Sequence, residues 1–434
     1  MEFSRRSLLT AGTLLALPAA AVSARELGIE PNSNKDQSKS MQAAIDAAAK
    51  QGGTLVLEAG KYLVSGLRLR RGVAIAGVPG RTLLIDRSGG PILTGGDVKH
   101  LRLAGLTFDG MGLKPEGQGL VALSDAEGLG IEDCSFIGSA GTGLSLTRCS
   151  GRIIASRFSF LGQTGVFALD SKGLVISGNT VRDIGNNGIQ VWATEPREDG
   201  TIVAENHVMR VAAKDGGSGQ NGNGINVWKA GNVAIAQNRV SDCAFSAIRN
   251  NSGANCQIVN NNISRTDEVA IYVEFAFQGA VVSGNVIDDI CFGISITNLD
   301  QGGRLAVCAN NLIRNARGGR SEGVTRAGGI YAEADTTVSG NVIEDARDVG
   351  IALGWGKYSR NLMAAGNLIR NCGRGVTISM AQGAEPAVVA NNMIVGAKEG
   401  AVFGMDHTET ITADLAAAGA KAPDLVRLSG NTIL

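Results

Sequence analysis

The sequence predicts an all-β fold: a right-handed parallel β-helix, a three-sheet solenoid of about 11–13 coils with an N-terminal capping helix. Three observations predict it. A unit of about 22 to 32 residues recurs along most of the chain, anchored on Asn-x-Ile/Val, as in Asn179-Thr180-Val181, Asn206-His207-Val208, Asn238-Arg239-Val240, Asn261-Asn262-Ile263 and Asn285-Val286-Ile287. The anchor returns at Asn311, Asn341, Asn367, Asn392 and Asn431, and earlier coils carry Cys134-Ser135-Phe136 and Ser156-Arg157-Phe158 in its place. Behind the anchor, after a variable turn, comes Gly-Ile-x-Val or a relative, for example Gly188-Ile189-Gln190-Val191, Gly224-Ile225-Asn226-Val227 and Ala270-Ile271-Tyr272-Val273. Finally, Gly 61 against Pro 8, with 4% aromatic and 18% charged residues, describes short strands and tight turns.

Each unit supplies three strands, one ahead of the anchor (Leu174-Val175-Ile176, Val233-Ala234-Ile235), one at it and one at Gly-Ile-x-Val. Such strands are too short to stand alone but stack on their counterparts one coil away. Period-two alternation sends Ile and Val inward and the residue between them outward. Asn suits the anchor because it tolerates the left-handed backbone of a sharp bend and its amide can hydrogen-bond along the axis. A leucine-rich horseshoe is excluded, since Leu-x-x-Leu-x-Leu is missing and no helix fits within the repeat.

From the N-terminus, residues 1–24 read as a twin-arginine signal peptide: Arg5-Arg6, an apolar run to Val22, and small residues at Ser23-Ala24. An ordinary Sec signal carrying two arginines is the alternative. The mature chain is expected to begin near Arg25, to meet the Tat translocase during export, and to work in the periplasm or beyond. Residues 25–98 form the N-terminal cap and first strands, with a helix over 38–51. Ser38 is its expected cap, Met41, Ala44, Ile45 and Ala48 its buried face, and Gly52-Gly53 its stop. Residues 99–434 form the β-helix, including a C-terminal cap in which Thr410–Ala422 is either a short closing helix or an excursion. Seven cysteines, an odd number without scaffold spacing, are expected to be buried free thiols.

The segment Asp36-Gln37-Ser38, Met41 to Asp46, Gly52-Gly53-Thr54-Leu55-Val56-Leu57 and Gly60-Lys61-Tyr62 resembles the start of pectate-lyase-like β-helix proteins. Together with the paired arginines, Gly222 to Val227, Cys243 to Arg249, Gly302 to Val307 and Gly404-Met405-Asp406-His407, the whole chain resembles a family of Tat-translocated repetitive proteins. That resemblance implies the fold. It implies no activity, because the wider group includes lyases, hydrolases, epimerases and non-catalytic phage and surface proteins.

Outward positions of the Gly-Ile-x-Val strands should stack at about 4.8 Å per coil, giving two rows. One reads Gln190, Asn226, Arg249, Tyr272, Ser295, Tyr331, and the other Trp192, Trp228, Asn251, Glu274, Thr297, Glu333, with Trp355 and Tyr358 just beyond. All three Trp and three of four Tyr residues thus fall on or beside one face. Rings alternating with polar side chains suit the apolar faces and hydroxyls of a sugar chain. Gln190, Trp192, Asn226, Trp228, Asn251, Tyr272, Tyr331 and Trp355 are therefore the expected substrate-binding residues; the alternative is that long turns cover the sheet and the rings fill the gap beneath. Glu274, Glu333 and Arg249 are the expected catalytic residues. The carboxylates lie two coils apart, roughly 10 Å along the backbone, which suits an inverting glycosidase if the side chains converge. Arg249, or Lys214 or Lys229, would neutralise a uronate in a lyase; the alternative, of equal weight, is a surface ion pair between Arg249 and Glu274. His407, beside Asp406, is a further candidate base, whereas His100 and His207 read as surface residues.

Forty acidic and forty basic side chains cancel, which argues against nucleic acid as a partner, and no later stretch reaches the roughly 18 apolar residues of a membrane-spanning helix. No zinc spacing occurs, no cofactor is implied, and Ca2+ at Glu274, Asp300 or turn carbonyls has no support from a motif. A polysaccharide is the expected partner. Three functions are open: a carbohydrate-active lyase, hydrolase or epimerase; a non-catalytic carbohydrate-binding protein; or a structural or adhesive solenoid using its turns at Thr194–Thr201, Lys214–Asn221 and Gly318–Thr325.

Overall fold

A computed structural model describes residues 21–113, 119–217, 219–297, 302–319 and 326–434. Residues 1–20 of the expected signal, Asp300, and residues 218 and 320–325 of the expected turns lie outside the described residues. Among the described residues the chain winds through three parallel sheets, one of 16 strands and two of 15. Sheet 1 carries the strand ahead of each anchor, sheet 2 the Asn-x-Ile strand and sheet 3 the Gly-Ile-x-Val strand. Successive coils align in register, Ile189 on Ile225, Ile248, Ile271, Ile294 and Ile330, so the inward residues form a continuous apolar core. Near the N-terminal end Phe108, Phe136 and Phe158 stack within it, with centroids 5.0 and 4.7 Å apart.

The anchor asparagines form one ladder. The Asn261 amide nitrogen donates to Asn285 Oδ1 and to the Ile235 carbonyl, both at 3.0 Å, while its own Oδ1 accepts from the Asn238 backbone N–H at 2.9 Å and amide at 3.0 Å. The pattern repeats from Asn179 to Asn431, and in the earlier coils Ser156 and Cys134 continue it, Ser156 N–H donating to Asn179 Oδ1 and Cys134 N–H to Ser156 Oγ. The bend itself is made one residue earlier than expected. Positive φ falls on Glu205, Gln237, Asn260, Asn310 and Asn391, and on glycines such as Gly178 and Gly284, each directly before an anchor. The anchor is therefore Asn for its buried amide, and the left-handed strain sits on its neighbour.

The helix spans Ser38–Lys50 and buries Met41, Ala44, Ile45 and Ala48 over the open N-terminal end. Ser38 is its first residue rather than its cap. Asp36 accepts from the Ser38 N–H and hydroxyl, and the Ser38 hydroxyl accepts from Ser65 N–H. Ala21–Ser23, within the expected signal segment, pairs in parallel with Thr54–Val56 at the edge of sheet 1. At the other end Thr410–Ala422 is an excursion, not a helix: a short antiparallel strand, Glu409–Thr410, pairs with Gly400–Asp406, and Asp414 accepts from the Ala401 and Val402 N–H groups. No described helix is long and apolar enough to cross a membrane.

All seven cysteines are free and buried. Burial pushes the thiols of Cys134, Cys256, Cys291 and Cys308 up to about 12. In a colorimetric thiol assay the native protein is expected to react far more slowly than the denatured chain, which should titrate all seven; fast native reaction of several thiols would contradict this packing.

Candidate functional site

The outward face of sheet 3 has the two predicted rows in register. Gln190, Asn226, Arg249, Tyr272, Ser295 and Tyr331 lie in one, which continues through Ala352, Thr377 and Phe403. Trp192, Trp228, Asn251, Glu274 and Thr297 lie in the other, which Glu333 extends and Ser379 and Met405 continue further on. The face nevertheless divides into three regions.

In the first, Trp192 and Trp228 pack edge to face with centroids 5.3 Å apart, Phe167 packs edgewise on Trp192, and the Lys229 ammonium lies 4.6 Å above the Trp228 ring. Lys229 also donates to the Thr194 carbonyl at 3.0 Å. Gln190 and Asn226 are buried, and Gln190 accepts from Thr164 at 2.9 Å. These rings interlock rather than lie flat, so each uses part of its surface on its neighbour.

The second region is a buried charge cluster. Arg249 holds Glu274 with two hydrogen bonds, Nε to Oε1 at 2.7 Å and Nη2 to Oε2 at 2.9 Å, and reaches Glu268 through Nη1 at 3.2 Å. Asn251 donates to Glu274 at 2.9 Å and Ser246 to Glu268 at 2.6 Å. Side-chain exposure is 9% for Arg249, 12% for Glu268 and 1% for Glu274, so this is no surface ion pair. Burial alone would lower the Arg249 pKa, but the two carboxylates hold it above its ordinary value. Burial raises the Glu268 pKa against the pull of Arg249 and Ser246. Gly219 lies against the cluster, so close to Arg249 that a Cβ there would overlap the guanidinium. Glu333 is also fully buried and accepts from Thr297 Oγ1 at 2.9 Å. The three expected catalytic residues are thus engaged with protein partners.

The third region is a cavity of about 600 Å³ over the next coils. Its floor is low because Ala352 and Thr377 follow one another in the first row and Ser379 lies in the second, with Ser295 one coil before Tyr331, and Tyr272, Tyr331 and Met405 rise around it. One bank is aromatic: Trp355 meets His407 edge to face at 5.2 Å. Charged side chains of Arg326, Asp348, Arg374 and Glu399 complete the lining. Arg374 binds Glu399 at 2.7 Å, and Asp348 is held by Arg347 at 2.7 Å. His407 Nδ1 lies 2.7 Å from Asp406 Oδ1, and Nε2 sits against Gly356, where a Cβ would be 2.7 Å away. Burial, reinforced by nearby carboxylates, raises the pKa of Tyr272 and of Tyr331, which keeps both hydroxyls protonated as donors.

Of the expected binding residues, Tyr272, Tyr331 and Trp355 line this cavity, while Gln190, Trp192, Asn226, Trp228 and Asn251 lie in the other two regions. Arg249 stacks on Tyr272, its guanidinium carbon 4.8 Å from the ring centre, and so joins the buried cluster to the cavity wall. Glu268, Arg326, Arg374 and Glu399 were not legible as site residues, since they lie in turns or at strand starts outside the repeated motif. The small floor residues were the available signal. Among the described residues no three His, Cys, Asp or Glu side chains gather as a metal site.

A family model for the right-handed β-helix region matches residues 72–208. No curated protein matches the chain. Solved structures that do include the mannuronan C-5 epimerase AlgE4 A-module of Azotobacter vinelandii, at 18% identity over 82% of this chain and 97% of that one, TM-score 0.50. The catalytic unit of the GH87 α-1,3-glucanase of Streptomyces thermodiastaticus matches at 14% identity over 96% and 69%, TM-score 0.55. The N-terminal fragment of bacteriophage Phi29 gene product 12 matches at 12% identity over 95% and 70%, TM-score 0.57. Likeness at these identities shows the fold: the chain is a right-handed parallel β-helix.

Proposed function

We propose that the protein binds a polysaccharide along sheet 3, with the cavity between Tyr272 and His407 as its principal site, and that it works outside the cytoplasm after twin-arginine export. The observation that carries this reading is the cavity itself: about 600 Å³, with an aromatic wall at Trp355, a floor of small and hydroxyl side chains, and the donors of Arg326 and Arg374 in its lining. Its size falls within the range of small-molecule sites, and its mixture of flat rings and polar groups fits sugar faces and hydroxyls. Two of the structural neighbours, a mannuronan epimerase and an α-1,3-glucanase, are named for action on polysaccharides, which supports the same class. The Asp406–His407 pair favours turnover over binding alone. With Nδ1 held by the carboxylate, Nε2 is the ring nitrogen left to take a proton, whereas Glu274 and Glu333 are enclosed. The activity would then be that of a lyase, hydrolase or epimerase; the alternative is a carbohydrate-binding or adhesive solenoid without turnover.

Titration of a polysaccharide panel against the full chain tests the site. Trp355→Ala is expected to weaken binding about tenfold or more, and Ala352→Phe, which fills the floor, to abolish it with unchanged thermal stability. His407→Asn should retain binding and lose any turnover. Failure to bind any member of the panel, or binding indifferent to Ala352→Phe, would contradict the reading.

A further inference from the structure

The charged groups around the cavity do not all cancel locally. Arg374 is paired with Glu399, Asp348 with Arg347, and Asp406 with His407. Arg326 is different. Among the described residues no carboxylate forms an ion pair with it, and its guanidinium carbon instead lies 5.5 Å from the centre of the Trp355 ring. An arginine held against an aromatic ring keeps its hydrogen-bonding edge for another group, and its planar fork fits a carboxylate with two parallel bonds. Tyr272 and Tyr331 present hydroxyl donors, while the carboxylates of Asp348, Glu399 and Asp406 are each engaged by a neighbour. The hydroxyls of the floor can donate or accept, so the feature that separates ligands is the open fork of Arg326, a donor-only cation that favours a ligand bringing an anion.

Resting on the polysaccharide reading above, we infer that the cavity takes a sugar unit bearing one negative charge, a uronic acid whose carboxylate meets Arg326 while its ring packs beside Trp355. Arg326 is the specificity-determining residue of this site. A neutral chain of the same backbone would leave its charge without a partner on binding.

The test compares short oligoglucuronates with the same oligomers after reduction of their carboxylates to alcohols, titrated by calorimetry into the full-length protein and into Arg326→Gln. The unmodified protein is expected to bind the acidic form about ten- to a hundredfold more tightly than the reduced form, with an affinity that falls as salt rises. Arg326→Gln is expected to bind the two forms alike while melting at the same temperature, because the side chain is exposed and, among the described residues, forms no ion pair. Equal affinity of the unmodified protein for both forms, or a preference that survives in Arg326→Gln, would overturn the assignment and leave the polysaccharide reading standing. Absence of binding to both forms, and to every other member of the panel, would overturn the two together.

Discussion

Replacing Arg249 by methionine is expected to destabilise the protein by about 3–5 kcal/mol at neutral pH, measured by denaturant unfolding. The substitution leaves Glu274 and Glu268 buried without their cation, and an uncompensated buried charge is among the most costly defects in a folded protein. The sign of the pH dependence follows. Without the guanidinium, burial favours the neutral form of the carboxyls in the folded variant, so the variant gains stability as pH falls toward the ordinary carboxylate range and loses it as pH rises above it. The gap between variant and unmodified protein should be small near pH 4 and complete by pH 7. In the unmodified protein burial already raises the Glu268 pKa, so its contribution is present below the ordinary Glu value and is lost as pH rises through the folded value. Glu268→Gln should flatten that slope. An Arg249→Met variant with undiminished stability would mean that the cluster is solvated.

The second large effect is expected at the ladder. Asn261→Ala removes the acceptor used by the Asn238 N–H and amide and the donor that satisfies the Ile235 carbonyl, all in a dry interior. Orphaned buried groups cost about 1–3 kcal/mol each, so a loss of about 3 kcal/mol or more is expected. Asn431→Ala, at the part-buried last rung, should cost about 1 kcal/mol because water can replace the lost acceptor. Since each coil touches only its neighbours, the Asn261 loss should appear in amide exchange as local opening of the adjacent coils. Equal costs at the two positions would show that the ladder is not the device that holds the coils together.

Much of the fold was legible because the repeat carries it. The anchors, the inward Ile and Val positions and both outward rows follow from spacing and period two, and the structure keeps the register they imply. The N-terminal helix was legible from its apolar face, but its start was not, since the N-cap is Gln37 and the Ser38 N–H is accepted by Asp36, two residues before the helix. Identity of an outward residue says less than its row. Arg249 and Glu274 looked reactive as neighbours in adjacent coils, yet that adjacency lets them satisfy one another beneath a turn whose course the repeat does not encode. Trp192 and Trp228 looked like a flat platform, whereas rings stacked one coil apart turn edge to face. The cavity went unseen because it is made of what is missing: Ala352, Thr377 and Ser379 drop the floor, and Arg326, Arg374 and Glu399 reach it from outside the motif.

Radical footprinting of the full chain with and without a saturating polysaccharide from the binding panel tests the central claim most directly, because it reads side chains one at a time. The account predicts that Trp355, Tyr331, Met405 and His407 lose reactivity on binding while Trp192 and Trp228 do not. Protection centred on Trp192 and Trp228, with Trp355 and His407 unchanged, would contradict it.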